Sequence, residues 1–286
     1  MTSIKHSNVI AVIVAYQPNI LLLRKNIEAV REQVDRLIVV DNSESDLALL
    51  NLSEQLCVDY YSNGENLGVA QALNVGLKYA NSYSGEWLLT LDQDSVLSKD
   101  YVEQLLSEYC NHPNLKIASL AGVPIGMSDR VRHAGSVKYL ISSGNLVQTS
   151  VLNKIGGFRE SFFIDYVDYD VSLKLRRLGF TLFACPNVQF SHNLGNVSKK
   201  KLIGIEFSVT NHSAIRRYYM TRNRLIIYRE NIDFDPSLVV ADLTSMCKEV
   251  VKIILAECDR KNKCKAILFG ICDFFLDRTG KLTRMF

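Results

Sequence analysis

The chain opens on an unbroken apolar run, Val9-Ile10-Ala11-Val12-Ile13-Val14-Ala15, without the alternation of a half-buried strand. Such a run is too short to span a bilayer and predicts a strand buried on both faces. Leu22, Leu23, Ile27 and Val30 then recur at helical spacing, predicting a helix over 19–33. A second strand is expected over 36–40, ending at Asp41, then a short helix over 47–55 and a third strand over 58–61. Asn63-Gly64-Glu65-Asn66 reads as a turn, 69–79 as a helix, and 87–91 as a fourth strand that ends at Asp92. A helix over 101–109 and a strand over 117–121 continue the alternation.

Repeated strand–helix units predict an α/β fold whose sheet is mostly parallel, with helices on both faces. After residue 121 the alternation breaks. Gly144-Asn145 and Gly156-Gly157 punctuate a segment suited to a hairpin and a short helix, and 170–178 reads as a helix with Val171, Leu175 and Leu178 on one face. From Pro236 onward Leu238, Val239, Leu243, Met246, Val250, Ile253 and Ile254 form a helical stripe. The expected organisation is therefore one α/β domain over 1–235 and a helical tail over 236–286.

Composition changes this picture little. At 286 residues, 48% hydrophobic and 22% charged, the chain is of ordinary globular make-up and long enough to bury a core without disulfides. It has neither an internal repeat nor a Gly/Ser-rich or Pro-rich linker. The seven cysteines lack a C-x-x-C pair, which argues against a disulfide framework and a zinc site. The N-terminal apolar run has no cleavage site after it, so the expected location is cytoplasmic. The net charge of +3 is unevenly spread: residues 199–286 hold 17 basic against 10 acidic side chains, residues 1–198 16 against 20. An acidic front suits a metal site and a basic back an anionic partner, or simply a solvated basic surface.

In parallel sheets ligands bind beyond the carboxyl ends of the strands. Here that edge carries Ala15-Tyr16, Asp41-Asn42, the 63–68 turn and Asp92-Gln93-Asp94. Two carboxylates one residue apart can present oxygens to a shared Mg²⁺ or Mn²⁺, or Asp94 could cap the following helix. Asn66 and Gly68 precede a helix start, where backbone N–H groups favour an anion, although a plain connection would look the same. Asp41 could accept from a base or ribose, or cap a helix. Asp165, Asp168 and Asp170 lie among aromatics that would raise a carboxylate's pKa and suit a general base. Asp168 is the candidate, though spacing alone does not separate it from Asp165. His192 is either a metal ligand or structural. Arg216-Arg217-Tyr218-Tyr219 and Arg222-Asn223-Arg224 form a basic, aromatic patch able to clamp a diphosphate or to face solvent.

Together these residues resemble the family 2 glycosyltransferases of the GT-A fold, and more narrowly the bacterial rhamnosyltransferases of surface polysaccharide assembly, over most of residues 8–230. Val12-Ile13-Val14-Ala15-Tyr16-Gln17-Pro18 is similar to the family's first strand and nucleotide-contacting turn. Asp41-Asn42-Ser43 resembles its base-contacting acid, and 66–76 its third motif. Leu91-Asp92-Gln93-Asp94-Ser95 matches the D-x-D signature in the D-Q-D-S form of the rhamnosyl subgroup. Gly156-Gly157-Phe158 precedes the acidic segment as in the family, and Asp168 falls on its catalytic base, with Val167 replacing a common Glu. His192 matches its later metal-binding histidine, and Arg222-Asn223 an arginine motif near the diphosphate.

The resemblance implies inverting transfer of a sugar, with dTDP-L-rhamnose the best guess, to a hydroxyl of a saccharide or lipid-linked saccharide. Ala15, Tyr16, Asp41, Asn66, Gly68, Asp92 and Arg222 would contact the nucleotide. Asp94 and His192, with Asp92, would hold Mg²⁺ or Mn²⁺, and Asp168 would take the acceptor's proton. A sugar nucleotidyltransferase is a second reading, weakened because Gln17-Pro18-Asn19 offers no glycine- and basic-rich loop. A non-catalytic sugar-nucleotide-binding protein is the third, weakened by the intact acids. The tail's apolar stripe with Lys248, Lys252, Arg260, Lys261, Lys263 and Lys265 could meet an anionic membrane surface, or pack on the domain or a second copy of the chain. No nucleic-acid partner is expected.

Overall fold

The computed structural model describes residues 7–44, 47–126, 133–192, 198–202 and 205–284, without the side chains of 198–202 and 205–208. Contacts divide the chain into two compact units: Met1–Glu160 with Val167–Asn193, and Ser161–Tyr166 with Leu194–Phe286.

The first unit follows the expected alternation: β1 (Val9–Ala15), α1 (Ile20–Arg31), β2 (Arg36–Asp41), α2 (Leu47–Gln55), β3 (Asp59–Ser62), α3 (Val69–Ser82), β4 (Trp87–Asp92), β5 (Ser95–Leu97) and α4 (Tyr101–Asn111). It continues with β6 (Ile117–Pro124), β7 (Gly135–Val137), β8 (Asn145–Gln148), α5 (Thr149–Lys154), α6 (Val167–Arg177) and β9 (Thr181–His192). All seven residues of β1 are buried because each face meets helices. Ala11, Ile13 and Ala15 share a core with Leu23 and Ile27 of α1 and Leu49 of α2. On the opposite face Val12 lies against Gly76 of α3, where an added Cβ would come within 2.5 Å of it. Helix α1 is shorter than expected: Asn19 stands outside it as the cap, its side chain accepting from Leu22 N at 3.1 Å.

The sheet runs β3-β2-β1-β4-β8-β6-β9-β5, with β7 beside β9. β1 pairs in parallel with β2 and β4, β2 with β3, and β6 with β9. β8 is antiparallel to both β4 and β6, so β6 points the same way as β4. β5 and β7 are antiparallel to β9. The sheet is thus mixed. The parallel expectation describes the strands joined by helical crossovers. It misses β5, β7 and β8, which no helix of eight or more residues precedes as a crossover, so they pair in reverse.

The second unit holds the antiparallel pair β10 (Ser198–Leu202) and β11 (Ile205–Val209), then α7 (Ala214–Asn231), α8 (Pro236–Ala256) and α9 (Arg260–Phe275). By contacts this unit takes in 161–166 and the chain from Leu194 onward. Helix α7 is held by charge: Arg217 pairs with Glu249 and Glu257, Arg224 with Asp242 and Glu249, and Tyr218 OH donates to Asp273 at 2.6 Å. Such a helix carries no apolar stripe that spacing could assign to a partner. The α8 stripe itself splits: Leu238, Val239 and Ile253 are buried, whereas Leu243 and Ile254 are exposed. No helix of the described residues is long and apolar enough to cross a membrane.

Candidate functional site

The carboxyl ends of β2, β1 and β4 lie side by side, with Ala15 paired to Asp41 and Val14 to Asp92. This register gathers the polar positions expected at the sheet edge. Just beyond β4, the antiparallel pairing of β5 with the end of β9 sets Ser95 opposite His192. Asp92, Asp94 and His192 each offer a ligand atom, all within 4.8 Å of one another. His192 Nδ1 is 3.5 Å from Asp94 Oδ1, and Nε2 is 4.0 Å from Asp92 Oδ2. Two carboxylates and one imidazole, all partly exposed, fit a divalent cation.

A hydroxyl chain supports this cluster from behind. His192 Nδ1 lies 2.8 Å from Ser95 Oγ, which lies 2.6 Å from Ser143 Oγ, and Ser143 Oγ accepts from Asp92 N at 3.1 Å. The chain can run in either direction; in one, Nδ1–H donates to Ser95 and Ser95 donates to Ser143. That leaves the Nε2 lone pair for a cation, as outer partners of ligating histidines commonly do. Asn26 of α1, fully buried, donates to Asp92 O at 2.8 Å and fixes the end of β4. Ser143 and Asn26 were not foreseen. The signal for Asn26 was present, since it is the polar member of the apolar face formed by Leu23, Ile27 and Val30.

The neighbouring loop is braced by asparagines. Asn42 donates to Asn66 Oδ1 at 3.1 Å and accepts from Asn63 Nδ2 at 2.9 Å and Leu67 N at 3.0 Å. Asn66 Oδ1 also accepts from Gly68 N at 3.0 Å. Gly68 stands at the N-cap of α3 with φ 90°, ψ 159°, a conformation that disfavours any Cβ, and it leaves the first amides of α3 without a side-chain cap. Tyr16, 45% exposed, projects at the mouth while its N–H donates to Gln93 Oε1 at 2.7 Å. Ala15, Tyr16, Asn66, Gly68, Asp92, Asp94 and His192 therefore gather along one edge.

Two of the expected nucleotide contacts, Asp41 and Arg222, are buried side chains with partners inside their own units. Asp41 is fully buried, and its oxygens accept from Ser43 N at 2.9 Å and Tyr60 OH at 2.8 Å. It braces the wall of the crevice and presents no surface to a base. Arg222 is 1% exposed and belongs to the second unit. Its guanidinium donates to Gly280 O at 2.9 Å, Ser161 O at 3.1 Å and Phe162 O at 3.3 Å. Its donors are directed at carbonyls of its own unit. In the rest of the basic patch Arg217 and Arg224 are likewise buried in ion pairs, and only Arg216 keeps a partly exposed side chain.

Helix α6 begins three residues earlier than the expected 170, which places Asp168 in its first turn. Its Oδ1 accepts from Tyr169 N at 3.0 Å. The two competing acids are engaged by cations. Asp165 accepts from Arg216 at 3.2 and 2.5 Å, and buried Asp170 lies 3.2 Å from Arg159 and 2.7 Å from Lys174. Asn74 of α3, also unforeseen, holds the Gly156-Gly157-Phe158 turn by accepting from Phe158 N and donating to Phe158 O, both at 2.9 Å.

Comparisons with known proteins agree with this geometry. The Glycosyl transferase family 2 profile matches residues 10–164. The dTDP-rhamnosyl transferase RfbF of Shigella flexneri is 31% identical over 245 residues, covering 79% of this chain and 81% of that protein. The low-salt glycan biosynthesis hexosyltransferase Agl10 of Haloferax volcanii is 23% identical over 192 residues, 59% of this chain and 62% of that protein. Among solved structures, S. aureus TarS 1-349 in complex with UDP-GlcNAc matches with a TM-score of 0.58 at 15% identity, over 95% of this chain and 81% of that chain. That likeness carries the shared fold, a central sheet flanked by helices with a further C-terminal part. On its profile match and its similarity to RfbF, the chain belongs to glycosyltransferase family 2.

Proposed function

We propose that this glycosyltransferase moves L-rhamnose from dTDP-L-rhamnose to a hydroxyl of a saccharide or lipid-linked saccharide, in one displacement with inversion, and that the reaction needs Mg²⁺ or Mn²⁺. The convergence of Asp92, Asp94 and His192 carries the metal requirement. The donor rests on the similarity to the rhamnosyl transferase of Shigella flexneri. A bound divalent cation supplies charge neutralisation to the departing diphosphate. Tyr16, Asn66 and Gly68 line the edge where the nucleotide would lie, and Asp41 acts indirectly, by holding Ser43 and Tyr60. Asp168 takes the proton from the acceptor hydroxyl, whose oxygen bonds to the anomeric carbon as the bond to the diphosphate breaks. Asp168, in the first turn of α6, is the acid of this segment assigned to that step because it falls on the position of the family's base.

The test is donor turnover across a panel of sugar nucleotides, with Mn²⁺ present and then chelated. Thymidine diphosphate release from the rhamnose donor, abolished by chelation, is expected. Release from a uridine donor alone would keep the mechanism and overturn the sugar. Asp168→Asn is expected to bind donor as the wild type does while losing about 10²–10⁴ in kcat. A folded Asp168→Asn protein that still turns over would remove the base assignment.

A further inference from the structure

The six residues that lead into α6 belong to the second unit, and their backbone is strained. Phe163, Asp165 and Tyr166 have φ of 64°, 62° and 65°, the left-handed region that side chains with a Cβ avoid. Three such residues within four do not hold themselves; Tyr166 OH donates to Asp242 of α8 at 2.8 Å, Gly280 N donates to Ser161 O at 2.7 Å, and most of the remaining contacts come from α7.

One face of α7 grips the segment at every residue. Arg222 donates to Ser161 O and Phe162 O at 3.1 and 3.3 Å. Asn223 Nδ2 lies within hydrogen-bond reach of Phe162 O, Ile164 O and Asp165 O, at 3.0, 2.9 and 3.0 Å. Arg222 Nε donates to Asn223 Oδ1 at 3.0 Å, so the amide is turned with its nitrogen toward the segment. The Phe163 ring stacks on Tyr219 at 5.0 Å and 18°. Arg216 pairs with the Asp165 carboxylate, and Arg224 donates to Tyr166 OH. Arg222 and Asn223 are 1% and 0% exposed, so their polar groups are satisfied within the protein, by this segment together with Gly280 O and Tyr218 OH, and not by water.

We propose that Arg222 and Asn223 are positioning residues for the reaction: they hold the left-handed turn 163–166, and through the direct chain connection from Tyr166 to Val167 they restrain Asp168, two residues on. This rests on the reading of Asp168 as the base. Their role is to replace the carbonyl partners that a regular helix or strand would have supplied, which lets the chain keep a turn it would otherwise relax. A base displaced by about 1 Å costs on the order of 100-fold in rate without a change in nucleotide binding.

The test compares Asn223→Ala with the milder Arg216→Gln, whose side chain is 43% exposed. For each, kcat and KM for dTDP-L-rhamnose, affinity for thymidine diphosphate with Mn²⁺, and amide exchange over 161–170 are measured. Asn223→Ala is expected to lower kcat by about 100-fold, leave nucleotide affinity within about twofold, and speed exchange over 161–170 alone. Arg216→Gln is expected to follow the same pattern more weakly, and it decides the matter if Asn223→Ala does not fold. Unchanged kcat despite faster exchange overturns the proposal, as does loss of kcat and nucleotide affinity together. Asp168→Asn, measured alongside, separates the two ideas. Turnover in that variant removes the base reading, whereas a dead Asp168→Asn beside an unaltered Asn223→Ala removes the clamp alone.

Discussion

Ser95 touches no substrate in the proposed reaction, yet it stands between His192 and Ser143 at 2.8 and 2.6 Å. When it accepts from Nδ1–H, it holds the imidazole in the tautomer with a free Nε2. Groups that orient a ligating histidine in this way typically matter 10–100-fold in metal affinity. Ser95→Ala is therefore expected to raise the Mn²⁺ concentration for half-maximal turnover by about 10–100-fold, with activity recovered at high metal. A metal titration of turnover checks it, and an unchanged midpoint would assign the serine to packing. The same reasoning describes the three acids of 165–170: Asp165 meets Arg216, Asp170 meets Arg159 and Lys174, and Asp168 Oδ1 accepts from Tyr169 N.

At the scale of elements, the crevice depends on how closely α3 approaches β1. Gly76 makes that approach possible, because a Cβ there would lie 2.5 Å from Val12 Cβ. The obstructing atom is at the branch of a side chain on a buried strand, which cannot swing aside. Gly76→Ala is expected to push α3 from the sheet and to cost about 1–3 kcal/mol of stability, seen as a lower denaturation midpoint. Since the N-terminus of α3 follows Gly68 directly, nucleotide affinity is expected to weaken as well. A variant as stable as the wild type would mean that α3 is less tightly seated than its contacts indicate.

At the scale of the molecule, the two units are stabilised by different physics. The first is an apolar core on both faces of a sheet. The second joins a smaller apolar cluster around Tyr218, Tyr219 and Ala266 to buried ions: Glu257, 2% exposed at its side chain, pairs with Arg217 at 2.8 Å and Lys263 at 2.7 Å, both cations 4% exposed. Removing one member of such a set leaves uncompensated buried charge, at a cost of about 3–5 kcal/mol. Glu257→Gln is expected to lower the melting temperature through the second unit, read by faster amide exchange in α7 and α9. Unchanged exchange there would show that water already screens the set.

The sequence by itself determined the strand–helix alternation of the first unit, because burial on both faces demands the uninterrupted apolar run of β1 and burial on one face demands helical spacing in α1. It determined that β2 and β4 end on acids and that β1 runs into Tyr16, and hence the edge where a ligand could bind. The D-Q-D tripeptide was legible because its two acids share one strand end. Its third partner was legible only by resemblance, since His192 lies 97 residues beyond Ser95 and only the antiparallel pairing of β5 with β9 brings them together. Tertiary structure alone decided the fate of the charges. Arg222 and Asp41 have the chemistry of ligand-binding groups, but burial and the hydrogen bonds available to them make one a holder of backbone carbonyls and the other a brace. Residue type states what a side chain can bond to; which partner it meets depends on packing between segments far apart in the chain, and no local pattern encodes that.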